Sequence, residues 1–260
     1  MKSMNCDYEL VIPSRGGEAL GMSLSGLIPH AAQRPFPLRL VLSYLTLSDL
    51  AVMALETLRH LGCEVTVEAV RRIGLPQARW QAARNSPYDV LVMLDDDAVL
   101  SPVNGIPLLA GAATQNNWVN PIIRYTSNFL HPDDLPGHTE LWETVSTDDP
   151  RVRTAVAARG KGWIRVFDTG VNHEVDQMGG TCFAVQREKL IAATETMNEW
   201  RWGWGEDLYM GKLLGKGLVL SSVYAYHYGR FSYGKWAVGD LTERMVSADP
   251  SFYDNVNRKG

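Results

Sequence analysis

The apolar run from Tyr88 to Leu94 breaks abruptly into Asp95, Asp96 and Asp97. Three adjacent carboxylates repel one another, a cost that a cation or a set of donors must offset. A hard divalent ion, Mg2+ or Mn2+, does so by taking one or two of the carboxylates, leaving positions for phosphate oxygens. The plainer alternative is a solvated acidic turn after a strand. A second constellation is Trp202-Gly-Trp-Gly-Glu-Asp207. Its glycines permit a sharp turn, and Glu206 and Asp207 fall at a helix N-terminus, where backbone N–H groups favour negative charge. That explains a helix cap. With Trp200, the three tryptophans can also stack on a sugar or a base while a carboxylate beside them takes a proton. His227, among tyrosines at the end of an apolar run, is either a structural histidine or a metal ligand. Arg79 and Arg84, ahead of the aspartates, are solvated or balance a diphosphate.

Positioning these groups requires a scaffold, and the hydrophobic pattern supplies one. Tyr8 to Gly17 reads as a strand ending in turn residues, Glu18 to Leu27 as a helix, and Arg39 to Tyr44 as a second strand. Ser48 to His60 is a helix with Ser48 as its cap and Gly62 as its stop, Cys63 to Val70 a strand, and Leu75 to Asn85 a helix. Tyr88 to Leu94 has the continuous apolar character of a strand buried on both faces. This alternation predicts an α/β fold, a mostly parallel Rossmann-like sheet with helices on both faces. The aspartates then lie at the carboxyl end of a central strand, where such sheets bind ligands.

After about residue 115 the periodicity weakens, and Asn116 to Gly180 is rich in Asn, Asp, Pro, Gly and Trp. A long unstructured connection is unusual in a compact domain, so this stretch is expected to hold strands of a mixed sheet and a substrate-facing loop. A strand over Gly179 to Val185, helices over Gln186 to Glu199 and Glu206 to Lys216, and a strand over Leu218 to Tyr228 follow. Residues 1–115 and 116–239 are expected to form two halves of the same domain, and 240–260 a polar tail.

Composition narrows the classes. The 260 residues carry 25 Lys and Arg against 29 Asp and Glu, a net charge of −4, which suggests neither a polyelectrolyte partner nor disorder. Three cysteines without CxxC spacing argue against a disulfide framework or a thiolate zinc site and suit a cytoplasmic protein. The N-terminus lacks the apolar core of a secretory signal, and the stretch from Leu38 to Leu61 is too polar to span a membrane.

The ordered series Leu10-Val-Ile-Pro-Ser-Arg15, Ala78-Arg79, Leu91-Val-Met-Leu-Asp-Asp-Asp97, Gly179-Gly180-Thr-Cys-Phe-Ala-Val185, Gly205-Glu206-Asp207 and His227 resembles the family 2 glycosyltransferases of the GT-A fold. The likeness runs from about residue 8 to 230. It implies an inverting, non-processive transferase, with residues 1–115 as its nucleotide-sugar-binding half and 116–239 as a smaller mixed-sheet acceptor half. Its DXD motif assigns Asp95 and Asp96 to the nucleotide and Asp97 to Mn2+ or Mg2+, with His227 completing the metal site. Pro13, Ser14 and Arg15 border the nucleotide, and Arg79 approaches its base or phosphates. Gly179 and Gly180 line the acceptor side and Trp204 joins the binding residues. Of the catalytic pair Glu206 and Asp207, Asp207 is the general base. The donor implied is a nucleotide diphosphate sugar, a UDP-sugar first. Acceptors compatible with it are a saccharide, a lipid-linked intermediate, a peptide or a modified nucleobase, and an oligomer is compatible too. The base-gripping Asp that family members carry after the second strand has only Asp49 as a counterpart, several residues late.

Other classes fit parts of the pattern. Asp95-Asp96-Asp97-Ala98-Val99 matches the DxDxV of haloacid-dehalogenase-like phosphohydrolases, with Asp95 as nucleophile, although it lies far from the start. A nucleotidyltransferase would use a glycine-rich, lysine-containing phosphate loop, of which Ser14-Arg-Gly-Gly17 is a weak version. A non-catalytic nucleotide or carbohydrate-binding module would use the tryptophans alone. Arg151, Arg153, Arg159, Lys161 and Arg165 form the basic cluster that a nucleic-acid acceptor would need.

Overall fold

The computed structural model describes residues 7–16, 18–43, 47–70, 74–126, 139–142, 171–175, 178–195 and 206–227. The three loop tryptophans, the basic cluster of 151–165 and the 240–260 tail lie outside them. Ten strands form one sheet: β1 (Tyr8–Ser14), β2 (Leu38–Leu42), β3 (Val65–Ala69), β4 (Val90–Leu94), β5 (Ala98–Ser101), β6 (Trp118–Thr126), β7 (Thr139–Trp142), β8 (His173–Val175), β9 (Cys182–Gln186) and β10 (Gly217–His227). Eight run in the order β3-β2-β1-β4-β9-β6-β10-β5, with β7 beside β6 and β8 beside β10. The first four are parallel, β9 is antiparallel to both β4 and β6, and β10 runs parallel to β6 and antiparallel to β5. The parallel half and the mixed half are thus one continuous sheet.

Residue alternation along the strands fills two cores. Leu10, Ile12, Leu38, Leu40, Val92 and Leu94 face α1 (Glu18–Gln33), α2 (Asp49–His60) and α4 (Gly105–Ala113). Val11, Val41, Leu91 and Met93 face the other way, toward α3 (Leu75–Asn85), α5 (Arg187–Glu195) and α6 (Glu206–Leu214). In α2 the buried Ala51, Ala54, Leu55 and Leu58 recur at helical spacing. Each fully buried leucine contributes about 1.5–3 kcal/mol of transfer free energy. The Ser48 side chain accepts a hydrogen bond from the Ala51 N–H, and Gly62 turns the chain at a φ of 91° that only glycine adopts freely.

Three local expectations are revised. Helix α1 does not stop at Leu27 but runs through Pro29 to Gln33, because Ala31 and His30 are buried beneath it. Burial there outweighs the N–H that proline lacks. The strand expected over 179–185 begins only at Cys182, the preceding residues forming a turn. Strand β5 and helix α4 had no counterpart in the sequence reading. Among the described residues, no helix is long and apolar enough to cross a membrane.

Strands β2 and β4 lie on opposite sides of β1, so the chain changes direction at the carboxyl ends of β1 and β4. Open α/β sheets bind ligands at such a point. Ser14 ends β1 there, and Asp95 follows β4.

Candidate active site

The Ser14 hydroxyl donates to Asp96 Oδ2 at 2.5 Å and accepts from the Gly16 N–H at 2.8 Å. Gly16 has a φ of 81°, the left-handed conformation that folds the loop back over the serine. Asp96 thereby joins the ends of β1 and β4. Burial and then the charge of Asp97 raise its pKa to about 6, despite the opposing Ser14 hydrogen bond and the N–H and charge of Arg15. Arg15 itself is exposed, and Pro13 is buried in register with Val41.

The aspartates sit in a turn anchored from two sides. The Asp95 N–H donates to the Thr181 carbonyl at 2.8 Å, and the Ala98 N–H closes the turn on the Asp95 carbonyl at 3.2 Å. From α1, the buried Ser23 hydroxyl reaches the Ala98 carbonyl at 2.5 Å. Strand β5 then runs antiparallel to β10 with Ala98 opposite His227. That register brings the histidine to the aspartates across more than a hundred residues of sequence.

Asp97 is only 2% exposed, and its Oδ1 lies 2.9 Å from His227 Nε2. Ligand atoms of Asp95, Asp97 and His227 all lie within 4.8 Å of one another. Burial opposes a charged imidazole at His227. The charge and hydrogen bond of Asp97, with the charges of Asp95 and Asp96, outweigh it and raise its pKa. Two carboxylates and one imidazole are a donor set for a borderline-hard divalent ion, and the crowded negative charge is what such an ion neutralises. Asp96 faces Ser14 instead.

Arg79 connects this cluster to the opposite side. It is 1% exposed on α3 and packs 5.1 Å above the Phe183 ring. Its Nη2 donates to Asp95 Oδ1 at 3.3 Å and to the Gly180 carbonyl at 2.9 Å. The Gly180 N–H in turn donates to Asp207 Oδ2 at 2.9 Å. A side chain at Gly180 would meet Asp207 Cβ and Oδ2 at 3.1 Å, so Asp207 would have to move by a few tenths of an ångström to admit one. Asp207 is the second residue of α6, at the N-terminal end of the helix dipole. Glu206 opens the same helix; its side chain and Trp204 lie outside the described residues.

Two further residues lie near the site, of which Asn120 was not among the sequence candidates. Asn120, fully buried on β6, hydrogen-bonds the Gly179 N–H and carbonyl and the Cys182 carbonyl. The available cue was a polar residue between Val119 and Pro121, a weak one in a strand that also carries Arg124 and Thr126. Cys182 is buried, and its burial and the nearby Asp95 push its thiol pKa well up, which leaves it protonated and unreactive.

No protein-family model matches this chain, and no curated protein sequence matches it. Solved structures do. The crystal structure of GalNAc-T7 with UDP, GalNAc and Mn2+ superposes with a TM-score of 0.61 at 17% identity over 96% of this chain. The structure of S. aureus TarS 1-349 in complex with UDP-GlcNAc gives a TM-score of 0.52 at 12% identity over 88% of this chain. The fold is the GT-A glycosyltransferase fold. This GT-A chain corresponds to 49% of the GalNAc-T7 chain and 61% of the TarS one, so it spans roughly half of each. Its site residues stand at the carboxyl edge of the GT-A sheet.

Proposed function

We propose that this chain is a metal-dependent glycosyltransferase of family 2 type, moving a sugar from a nucleotide diphosphate sugar to an acceptor hydroxyl with inversion at the anomeric carbon. One observation carries the reading. A carboxylate and imidazole cluster at the sheet's ligand-binding edge is tied through Arg79 and Gly180 to a second acid, Asp207. The solved neighbours with UDP, Mn2+ or UDP-GlcNAc bound support a sugar nucleotide, a UDP-sugar first, as the donor.

Asp95, Asp97 and His227 would hold the ion, and the imidazole favours Mn2+ over Mg2+. When bound, the metal stabilises negative charge developing on the diphosphate leaving group. The remaining work falls to the chain. Ser14 and Arg15 border the nucleotide, and Asp96, pinned by Ser14, fixes the loop against it. Arg79 keeps Asp95 oriented. Asp207 accepts the proton of the acceptor hydroxyl as its oxygen bonds to the anomeric carbon. The bond from that carbon to the diphosphate breaks, its electron pair leaving with the nucleotide. A general base of this kind typically contributes about 10²- to 10⁴-fold in rate.

The phosphohydrolase alternative would use Asp95 as nucleophile and has no role for Asp207, which the Arg79 and Gly180 bonds tie to Asp95. The acceptor is a saccharide, lipid-linked, peptide or nucleobase nucleophile. The test is a thermal-shift screen of UDP-, GDP-, CMP- and TDP-sugars with and without Mn2+, since a ligand of the native state raises Tm. A rise with one sugar nucleotide only in the presence of Mn2+ is expected. No rise with any of them would refute the reading.

A further inference from the structure

We infer that Asn120 is a positioning residue that fixes Asp207 and the Arg79–Asp95 pair relative to each other by clamping the turn between Met178 and Cys182. The inference rests on the reading that these acids serve one reaction, and it extends it to a residue remote in sequence from both.

The geometry is specific. Asn120 Nδ2 donates to the Gly179 carbonyl at 2.8 Å and to the Cys182 carbonyl at 2.5 Å, while its Oδ1 accepts from the Gly179 N–H at 2.9 Å. One amide therefore fixes both ends of a turn whose middle does three jobs. The Gly180 carbonyl accepts from Arg79, the Gly180 N–H donates to Asp207, and the Thr181 carbonyl accepts from the Asp95 N–H. Glycine at 179 and 180 makes this turn intrinsically free, since neither residue has a side chain to anchor it. The restraint must come from outside, and Asn120 supplies it from β6 without solvent access. Oriented, water-excluded amides of this kind hold a single arrangement because any other leaves buried donors and acceptors unmatched.

The metal cluster depends on the clamp only in part. Asp97 and His227 are placed by the pairing of β5 with β10, Ala98 opposite His227; β10 also pairs with β6, Val219 opposite Asn120, but that pairing is made by the backbone and not by the Asn120 amide. Losing the clamp should therefore misplace Asp207 while leaving the ion's two other ligands where they are.

The experiment compares the full chain with Asn120→Ala and Asn120→Ser, and with Asn117→Ala as a control. Asn117 is an asparagine on the adjacent turn that bonds Lys216 and Lys189 away from the acids. Amide hydrogen exchange at Gly180 is read against exchange at Leu40 in the β2 core. The expected result is exchange at Gly180 faster by about tenfold or more in the Asn120 variants, with Leu40 and the control little changed. With the donor found by the thermal screen, kcat should fall about 10- to 100-fold with KM little changed, and the Mn2+ Kd should weaken by less than kcat falls, because of the three ligands only Asp95 leans on the turn. In the wild-type chain, which needs no variant to fold, the Asn120 side-chain amide protons should exchange as slowly as the Gly180 amide. Solvent-rate exchange of those protons, or equal acceleration of Gly180 and Leu40, would overturn the inference. A wild-type chain inert toward every donor would instead refute the transferase reading, with the exchange results still deciding the role of Asn120.

Discussion

Arg79 and Asp207, one on α3 and the other on α6, hold the same residue from two sides: the guanidinium bonds the Gly180 carbonyl and the carboxylate accepts the Gly180 N–H, each at 2.9 Å. Because Arg79 also bonds Asp95, the two acidic regions share one rigid connection. Their separation is set by a glycine turn and an arginine, not by loops free to move independently.

Substitution at that glycine tests the connection. An added methyl would lie 3.1 Å from Asp207 Cβ and Oδ2 and 3.3 Å from Cγ, tighter than ordinary contact. Gly180→Ala should push Asp207 aside and lower kcat about 10- to 100-fold. Mn2+ affinity should change little, because the three atoms nearest the methyl all belong to Asp207. A metal titration alongside steady-state rates checks the split.

The histidine gives a pH signature. A metal ligand must be a neutral imidazole, yet Asp97, Asp95 and Asp96 outweigh burial and keep the proton on His227 above its ordinary pKa of 6.5. Mn2+ binding should therefore release a proton and tighten as the pH rises through the folded value. In the metal-free chain the sign is opposite. The His227–Asp97 pair adds stability that is fully present below the unfolded pKa and is lost as pH climbs through the raised one. Calorimetry in buffers of different ionisation enthalpy measures the proton released, and pH-independent affinity between pH 6 and 8 would contradict the assignment.

Asp96 carries the reverse cost. A carboxyl whose folded pKa is about 6 against an unfolded 3.8 is destabilising once ionised, so stability falls as pH rises from 3.8 to 6 and is level above. Asp96→Asn keeps an acceptor for Ser14 and removes the charge. The metal-free variant should melt higher at pH 7, by about 2–4 °C per kcal/mol recovered, with the difference closing below pH 4. Scanning calorimetry across that range checks it.

How much of this was written in the sequence depended on how local each cause was. Helix α3 has the bounds that its pattern predicted, and the run into Asp95 correctly marked a strand end at the carboxyl edge of the sheet. Such features arise from residues a few positions apart. Helix α4 hid because Gly105, Pro107 and Gly111 are poor helix formers, and it is held by burying Ile106, Leu109, Ala110 and Ala113. Strand β9 was read at nearly the right place, but nothing local tells it to pair antiparallel with β4, Val90 opposite Gln186. That pairing brings Gly180 to Arg79. The burial of Arg79 follows from it, and the clamp by Asn120 from the equally non-local pairing of β6 with β9, Val119 opposite Ala184, whereas the acids themselves stood out by type and spacing.

The central claim is that the acidic cluster and Asp207 act on one reaction. It is tested most directly by Asp207→Asn, with donor Kd and turnover measured on the same preparation in Mn2+. An unchanged donor Kd with turnover lowered about 10²- to 10⁴-fold is the predicted result. Turnover at the wild-type rate, or donor binding lost together with it, would contradict the account.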